Sequence, residues 1–234
     1  MANRAQRVIF ALAAALACGC VTATSGAQSR HAHRQALPRN STAAPVPAKG
    51  RLGIDLFEAV MRRDAAGVQA LLKRGADPNA RNSLYWTPLM SAATTGQPDI
   101  MELLLRAGAD KEASSPYGTP LLFAADPRCA HVLLSHGVDT HVARPDGITP
   151  LMLAAWFDQP GLAREFLRRK ADPNAKDNDG ETALSFAARA GNTDVGHELL
   201  NAGAKVDVAD NRGWTALMHA AAAGHSDFVA ILLK

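Results

Sequence analysis

The strongest constraint on this chain is that it repeats itself. The phrase "LLKRGADPNA" returns as "LLRAGADKEA", "LLSHGVDTHV", "FLRRKADPNA" and "LLNAGAKVDV". Its glycine position holds Gly75, Gly108, Gly137, Lys170 and Gly203, at steps of 33, 29, 33 and 33 residues. A second phrase keeps step with the first: "TPLMSAA" from Thr87, "TPLLFAA" from Thr119, "TPLMLAA" from Thr149, "TALSFAA" from Thr182 and "TALMHAA" from Thr215. Self-similarity at such a period marks an array of supersecondary units. No unit can bury its own apolar face, so stability comes from stacking.

The chemistry of each anchor predicts the unit. A threonine oxygen caps the exposed N–H groups of a helix start, and proline fits the first helical position, where an N–H has no intrahelical partner. Each of the five threonines therefore opens a helix. The Ala-Ala pair behind it lets a second helix approach closely. That second helix presents Leu71-Leu72, Leu104-Leu105, Leu133-Leu134, Phe166-Leu167, Leu199-Leu200 or Leu232-Leu233 to the core. The glycine then ends it in the left-handed conformation. Lys170 must do the same without glycine's freedom, at a cost of about 1 kcal/mol. The 29-residue step has its own origin: 18 residues run from Thr119 to Gly137, where other units have 21. The shortening is expected in the turn between helices, at Asp126-Pro127.

Thr-Pro-Leu, Ala-Ala, Leu-Leu and Gly-Ala-Asp at this period resemble the ankyrin repeat. The resemblance covers about residues 52–234. It implies an all-α solenoid of helix-turn-helix repeats joined by β-turn or hairpin loops. The expected division is a cap over 52–82 and repeats over about 83–113, 114–143, 144–175, 176–208 and 209–234. The family's Thr-Pro-Leu-His has lost its histidine: Met90, Leu122, Met152, Ser185 and Met218 stand there. The hydrogen bonds which that histidine makes between repeats are expected to be missing. The first unit has no Thr-Pro-Leu and carries Asp55, Glu58, Arg62 and Arg63, as an N-terminal cap would. The last unit stops at Lys234, and its Phe228, Val229, Ile231, Leu232 and Leu233 are as apolar as their internal counterparts.

The net charge of +3 conceals a division. Residues 1–51 hold seven lysines and arginines and no acid, which leaves 18 basic residues against 22 acidic over 52–234. The repeats are mildly acidic, and this argues against nucleic acid as a partner, because its footprint is a basic face. Within residues 1–27, Arg4 and Arg7 precede the short apolar run "VIFALAAALA", and small residues follow. This is the pattern of an export signal, too short to span a bilayer. Two processing routes stay open. "VTA" and "SGA" suit an ordinary signal peptidase, whereas Cys18 or Cys20 in "ALACGC" would carry the lipid of a membrane-anchored lipoprotein. Residues 28–51, with scattered Ala, Pro and Arg and almost no large apolar side chain, read as a solvated tether. With a leader removed up to Cys20, Cys129 remains, and it reads as a small core hydrophobe. The localisation expected from this pattern is export to the periplasm.

No pattern for catalysis, a cofactor or a metal stands out. There is no Gly-rich phosphate loop, Cys-x-x-Cys or His-Glu-x-x-His. "KDNDGE" faintly resembles a calcium loop, but Ala175 occupies the place of its first acidic ligand, and a tight turn between repeats explains it better.

What the scaffold leaves free is a face for another protein. By the resemblance, partners touch residues four, three and one before each threonine and the seventh and eighth after it. Those places include Leu84, Trp86, Ile148, Trp156, Phe157, Arg189, Arg212 and Trp214, with Tyr85 and Tyr117 adjacent. All three tryptophans and both tyrosines of the chain thus fall on or beside one set. Such residues anchor protein interfaces. The competing arrangement packs some of them onto the neighbouring loop. Trp156 and Phe157, with Ile148, are expected at the centre of the face. Tyr85 stands where other units keep a turn glycine, so a distorted turn is expected there. The function read from these features is a monomeric, non-enzymatic protein-binding module of the bacterial cell envelope. Similar periplasmic ankyrin proteins offer two concrete roles, support of an enzyme such as a catalase under peroxide stress and immunity against an antibacterial toxin. A host-directed effector fits the leader less well.

Overall fold

The computed structural model describes residues 48–234 apart from residue 125. Along them run six helix pairs: α1 (Ala48–Met61) with α2 (Ala65–Lys73), α3 (Pro88–Thr94) with α4 (Pro98–Arg106), α5 (Pro120–Phe123) with α6 (Pro127–Ser135), α7 (Pro150–Trp156) with α8 (Pro160–Arg168), α9 (Ala183–Ala190) with α10 (Thr193–Asn201), and α11 (Ala216–Ala223) with α12 (Ser226–Leu232). Helix α1 begins at Ala48, so the end of the expected tether is helical. Among the described residues there is no strand, only an isolated antiparallel bridge between Ser115 and Gly118. Each helix packs on its own partner and on the matching helix of the next pair. The export pattern, Cys18 and Cys20 lie outside the described residues.

The anchors act as their chemistry requires. Thr87, Thr149, Thr182 and Thr215 each accept a hydrogen bond from the N–H three residues on. Gly75, Gly108, Gly137 and Gly203 are left-handed, and Lys170 joins them at φ 66°. A second left-handed position, in the turn between paired helices, is taken by Gly96, Gly191 and Gly224 but also by Arg63 and Asp158. The alanine pairs 92–93, 154–155 and 187–188 are buried in one core that runs from Leu56 to Phe228.

Two expectations change. The three residues missing from the third pair come out of the helix and not the turn. Helix α5 has four residues where α3 and α7 have seven, while three residues still connect it to α6. That turn must reverse the chain and set Asp126 to cap α6 through the N–H of Arg128, at 2.8 Å. It has no length to give up. The cost falls on Thr119, which makes no cap bond and keeps its Oγ1 buried without a partner. The repeats are also stitched together despite the lost histidine. Asn79 Nδ2 donates to the Gly108 carbonyl (3.0 Å) and its Oδ1 accepts from the Asp110 N–H (2.7 Å). Asn174 does the same with Gly203 (3.2 Å) and Lys205 (2.8 Å). Within a repeat, Met152 Sδ accepts from the Thr149 N–H at 3.4 Å and Ser185 Oγ lies 3.3 Å from Thr182 Oγ1, while the bonds between repeats come from the asparagines.

Candidate protein-binding face

The turns ahead of the inner helices share one construction. In three of them an Asn or Asp five residues before the threonine closes the turn on itself: Asn82 Oδ1 accepts from Leu84 and Trp86, Asp177 Oδ1 from Asp179 and Glu181, and Asp210 Oδ1 from Arg212 and Trp214. Such side-chain bonds mimic a backbone turn. Neighbouring turns then join. Asn178 N–H donates to the Asp146 carbonyl and Asn211 N–H to the Asp179 carbonyl, both at 2.9 Å. The turns ahead of α7, α9 and α11 therefore form one continuous edge.

The expected face residues divide along the chain. Trp86, placed at the surface by its scaffold position, is a core residue with 2% exposure. It packs with Met90 and Ala113, and its ring stacks on Phe123 at 4.6 Å. Leu84 is half-buried against that cluster. The reason for the correction is that the position before the threonine faces the next repeat. The residue four after the next threonine meets it there, and Trp86 and Phe123 fill both places with rings. Ile148, at the same register, is half-buried against the main core. Tyr85 and Tyr117 are exposed. Tyr85 leaves its turn undistorted by adopting glycine's left-handed conformation at φ 61°. Phe157 is half-buried where α7 ends.

The second half gathers the remaining residues. Trp156 is half-buried, edge-on to Phe186 at 6.1 Å, with the Arg189 guanidinium 5.1 Å above its ring. Arg189 Nη1 donates to Glu181 Oε1 at 2.8 Å. Arg212 Nη2 reaches the same oxygen at 3.4 Å and Asp210 Oδ2 at 3.2 Å. His219 Nε2 lies 3.2 Å from Asp210 Oδ2 and 3.9 Å from Glu181 Oε1. Trp214, 41% exposed, tilts its ring over His219 at 5.3 Å. A connected chain of contacts thus runs from Trp156 through Arg189, Glu181, Arg212 and Asp210 to Trp214.

Glu181, Asp210 and His219, all buried, were not singled out as a site by the sequence. The available signal was Asp210 at the register of Asn82 and Asp177, and a histidine one place beyond the family's position. Burial alone would push the Asp210 carboxyl up. The N–H groups of Trp214 and Arg212 and the side chains of Arg212 and His219 outweigh it and hold the group at about 2. Asp177 has the backbone bonds at the same register, and burial leaves its carboxyl raised. Glu181, Asp210 and His219 also bring donor atoms within 4.8 Å of one another, a set that could hold a divalent cation. Arg212 Nη2 already stands within reach of both carboxylates, so a guanidinium supplies the positive charge. Cys129 is buried, and desolvation pushes its thiol up to about 11, as suits a core residue.

Paired helices, left-handed glycine stops and turns projecting ahead of each inner helix define a repeat solenoid, in which function belongs to the turns and inner face. The chain belongs to the ankyrin-repeat family, whose model "Ankyrin repeats (3 copies)" matches residues 56–144 and 151–234. Curated relatives include 2-5A-dependent ribonuclease of Mus musculus, 44% identical over 71 residues, which are 30% of this chain and 10% of that protein. Protein phosphatase 1 regulatory subunit 27 of Homo sapiens is 41% identical over 63 residues, 27% of this chain and 41% of that protein. Ankyrin repeat, SAM and basic leucine zipper domain-containing protein 1 of Echinops telfairi is 31% identical over 121 residues, 48% of this chain and 25% of that protein. The match therefore spans between 10% and 41% of these relatives' own length.

Proposed function

We propose that this chain is a non-enzymatic protein-binding module whose partner seats on the turns and inner-helix ends of its last three repeats. The observation that carries this reading is the row Trp156–Arg189–Arg212–Trp214. Its aromatic and guanidinium groups stand on one joined edge, and Trp214 and Arg212 are exposed. Large aromatics and arginines at the centre of a surface are the usual anchors of a protein interface. Ankyrin-repeat units are interaction modules in general, and one relative is by its title a regulatory subunit of a phosphatase. The leader pattern supports the further proposal that the module works in a bacterial cell envelope, free or held by lipid at Cys18 or Cys20. Among the described residues no helix is long and apolar enough to cross a membrane.

Affinity capture from an envelope extract, with the wild-type chain and a Trp214→Ala/Arg212→Gln variant side by side, tests the binding reading. A protein retained by the wild type and lost by the folded variant is expected. An identical set retained by both would overturn the assignment to this edge. Mass spectrometry of the mature chain tests the location: a lipidated cysteine or an N-terminus near Gln28 is expected, and an intact Met1 would exclude processing.

A further inference from the structure

The network in the last repeats has an inside and an outside of opposite sign. Both of its carboxylates are withdrawn, with side chains only 5% and 1% exposed at Glu181 and Asp210. Both of its arginines reach outward, with side chains 37% exposed at Arg189 and 66% at Arg212. The internal bonds use one nitrogen of each guanidinium, Nη1 of Arg189 and Nη2 of Arg212. Arg189 Nε is buried and has no hydrogen-bond partner. That nitrogen is out of a partner's reach, so the donors a partner meets are the amino groups left over by the internal bonds, Nη2 of Arg189 and Nη1 of Arg212. Beside Arg212 stands Trp214, 41% exposed, whose N–H shares Asp210 Oδ1 with that of Arg212.

We infer that this ledge binds an acidic peptide segment of a partner protein, in which an Asp or Glu carboxylate lies on Arg189 and Arg212 and a neighbouring apolar side chain lies on Trp214. The proposal rests on the protein-binding reading above and names its chemistry. Each outward amino group can donate to a carboxylate oxygen, and such charge-assisted hydrogen bonds are about twice as strong as neutral ones. The buried acids fix the arginine rotamers before binding, which lowers the ordering cost on association. The ledge is local. Over 52–234 acids outnumber bases, 22 to 18, and so a polyanion such as nucleic acid is repelled by the remainder of the repeats.

The test is selection of binders from a random dodecapeptide display library on the full chain. Recovered peptides are expected to carry Asp or Glu beside a large apolar residue. Their Kd, read by fluorescence anisotropy, should rise about tenfold or more in Arg212→Gln. Arg212→Lys, which keeps the charge but not the second amino group, should fall between. Circular dichroism and urea unfolding on each variant separate a lost contact from a lost fold. Trp214→Ala supplies a second, exposed probe, because the bonds of Trp214 to Asp210 run through its backbone and survive the substitution. Binders without an acidic residue, or unmoved by Arg212→Gln, would overturn the acidic-peptide proposal and leave protein binding standing. Failure to recover any binder from the wild-type chain would count against both. Arginine-dependent binding of a 20-nucleotide single-stranded DNA in place of peptide would reassign the ledge to nucleic acid.

Discussion

Two joints of the solenoid, one in each half, solve one packing problem with opposite chemistry. Between the second and third helix pairs, Trp86 and the following repeat's Phe123 meet as stacked rings in a buried, mainly apolar cluster. Between the last two pairs, the same two registers hold Glu181 and His219, joined through Asp210 and two arginines. The scaffold thus assigns a place between repeats and leaves its polarity open. Apolar occupants consume that place for stability. Charged occupants must bring partners to it, and those partners extend to the surface. The candidate site accordingly sits at the one polar joint of this set, since the joint before it holds Ile148 and Phe186 at the same registers.

The largest effect that separates the halves is expected from Trp86→Ala. Its ring is fully packed, and truncation of a buried aromatic costs about 3–5 kcal/mol. Urea unfolding of the chain should show that loss, while partner capture by molecules still folded stays intact. A change below about 1 kcal/mol would return Trp86 to the surface.

Asp210→Asn should come next. Removing a charged partner from hydrogen bonds costs about 2 kcal/mol at neutral pH. The variant also tests the sign of the charge network. Asp210 has a folded-state value depressed to about 2. Its stabilisation is therefore complete above the ordinary aspartate value and is lost as pH falls through about 4 towards 2. Unfolding curves across that window should slope in the wild type and flatten in Asp210→Asn. Equal slopes in both would show that Asp210 is not held as described.

Trp214→Ala tests the surface end of the same network. Its ring leans on His219 but is 41% exposed, so stability should stay within about 1 kcal/mol of wild type. Partner capture should fall. The reverse pattern, a large stability loss with capture unchanged, would make Trp214 a terminal packing residue and empty the contrast between the halves.

The sequence displayed the fold more openly than the site, for a physical reason. Helix starts, helix stops and apolar faces are set by short-range chemistry that recurs at each repeat, as at Thr87 or Gly108. Whether Trp86 is covered depends on Phe123 in the next repeat, and that contact has no local signature. Glu181, Asp210 and His219 are likewise joined across repeats, with Glu181 and His219 38 residues apart in number. The place of the three-residue deletion is not legible in the sequence, because helix and turn can each lose length. Only the turn's duty to cap α6 through Asp126 decides between them.

Lys170→Gly probes the one repeat stop that lacks glycine, at the boundary between the halves. Lys170 adopts φ 66°, while Gly75, Gly108, Gly137 and Gly203 do the same job at φ 87°, 87°, 71° and 86°. A non-glycine residue pays roughly 1 kcal/mol for that conformation, from which glycine's greater entropy in the unfolded chain subtracts part. The contact made there uses the backbone, since His141 Nε2 lies 3.1 Å from the Lys170 carbonyl, and glycine retains it. The substitution should therefore raise stability by about 0.5–1 kcal/mol, seen as a higher urea midpoint at unchanged slope. Because Lys170 is remote in sequence from the Arg189–Arg212 ledge and shares no bond with it, peptide affinity should not move. A loss of stability would mean that the lysine stem covers apolar surface which the left-handed strain does not outweigh.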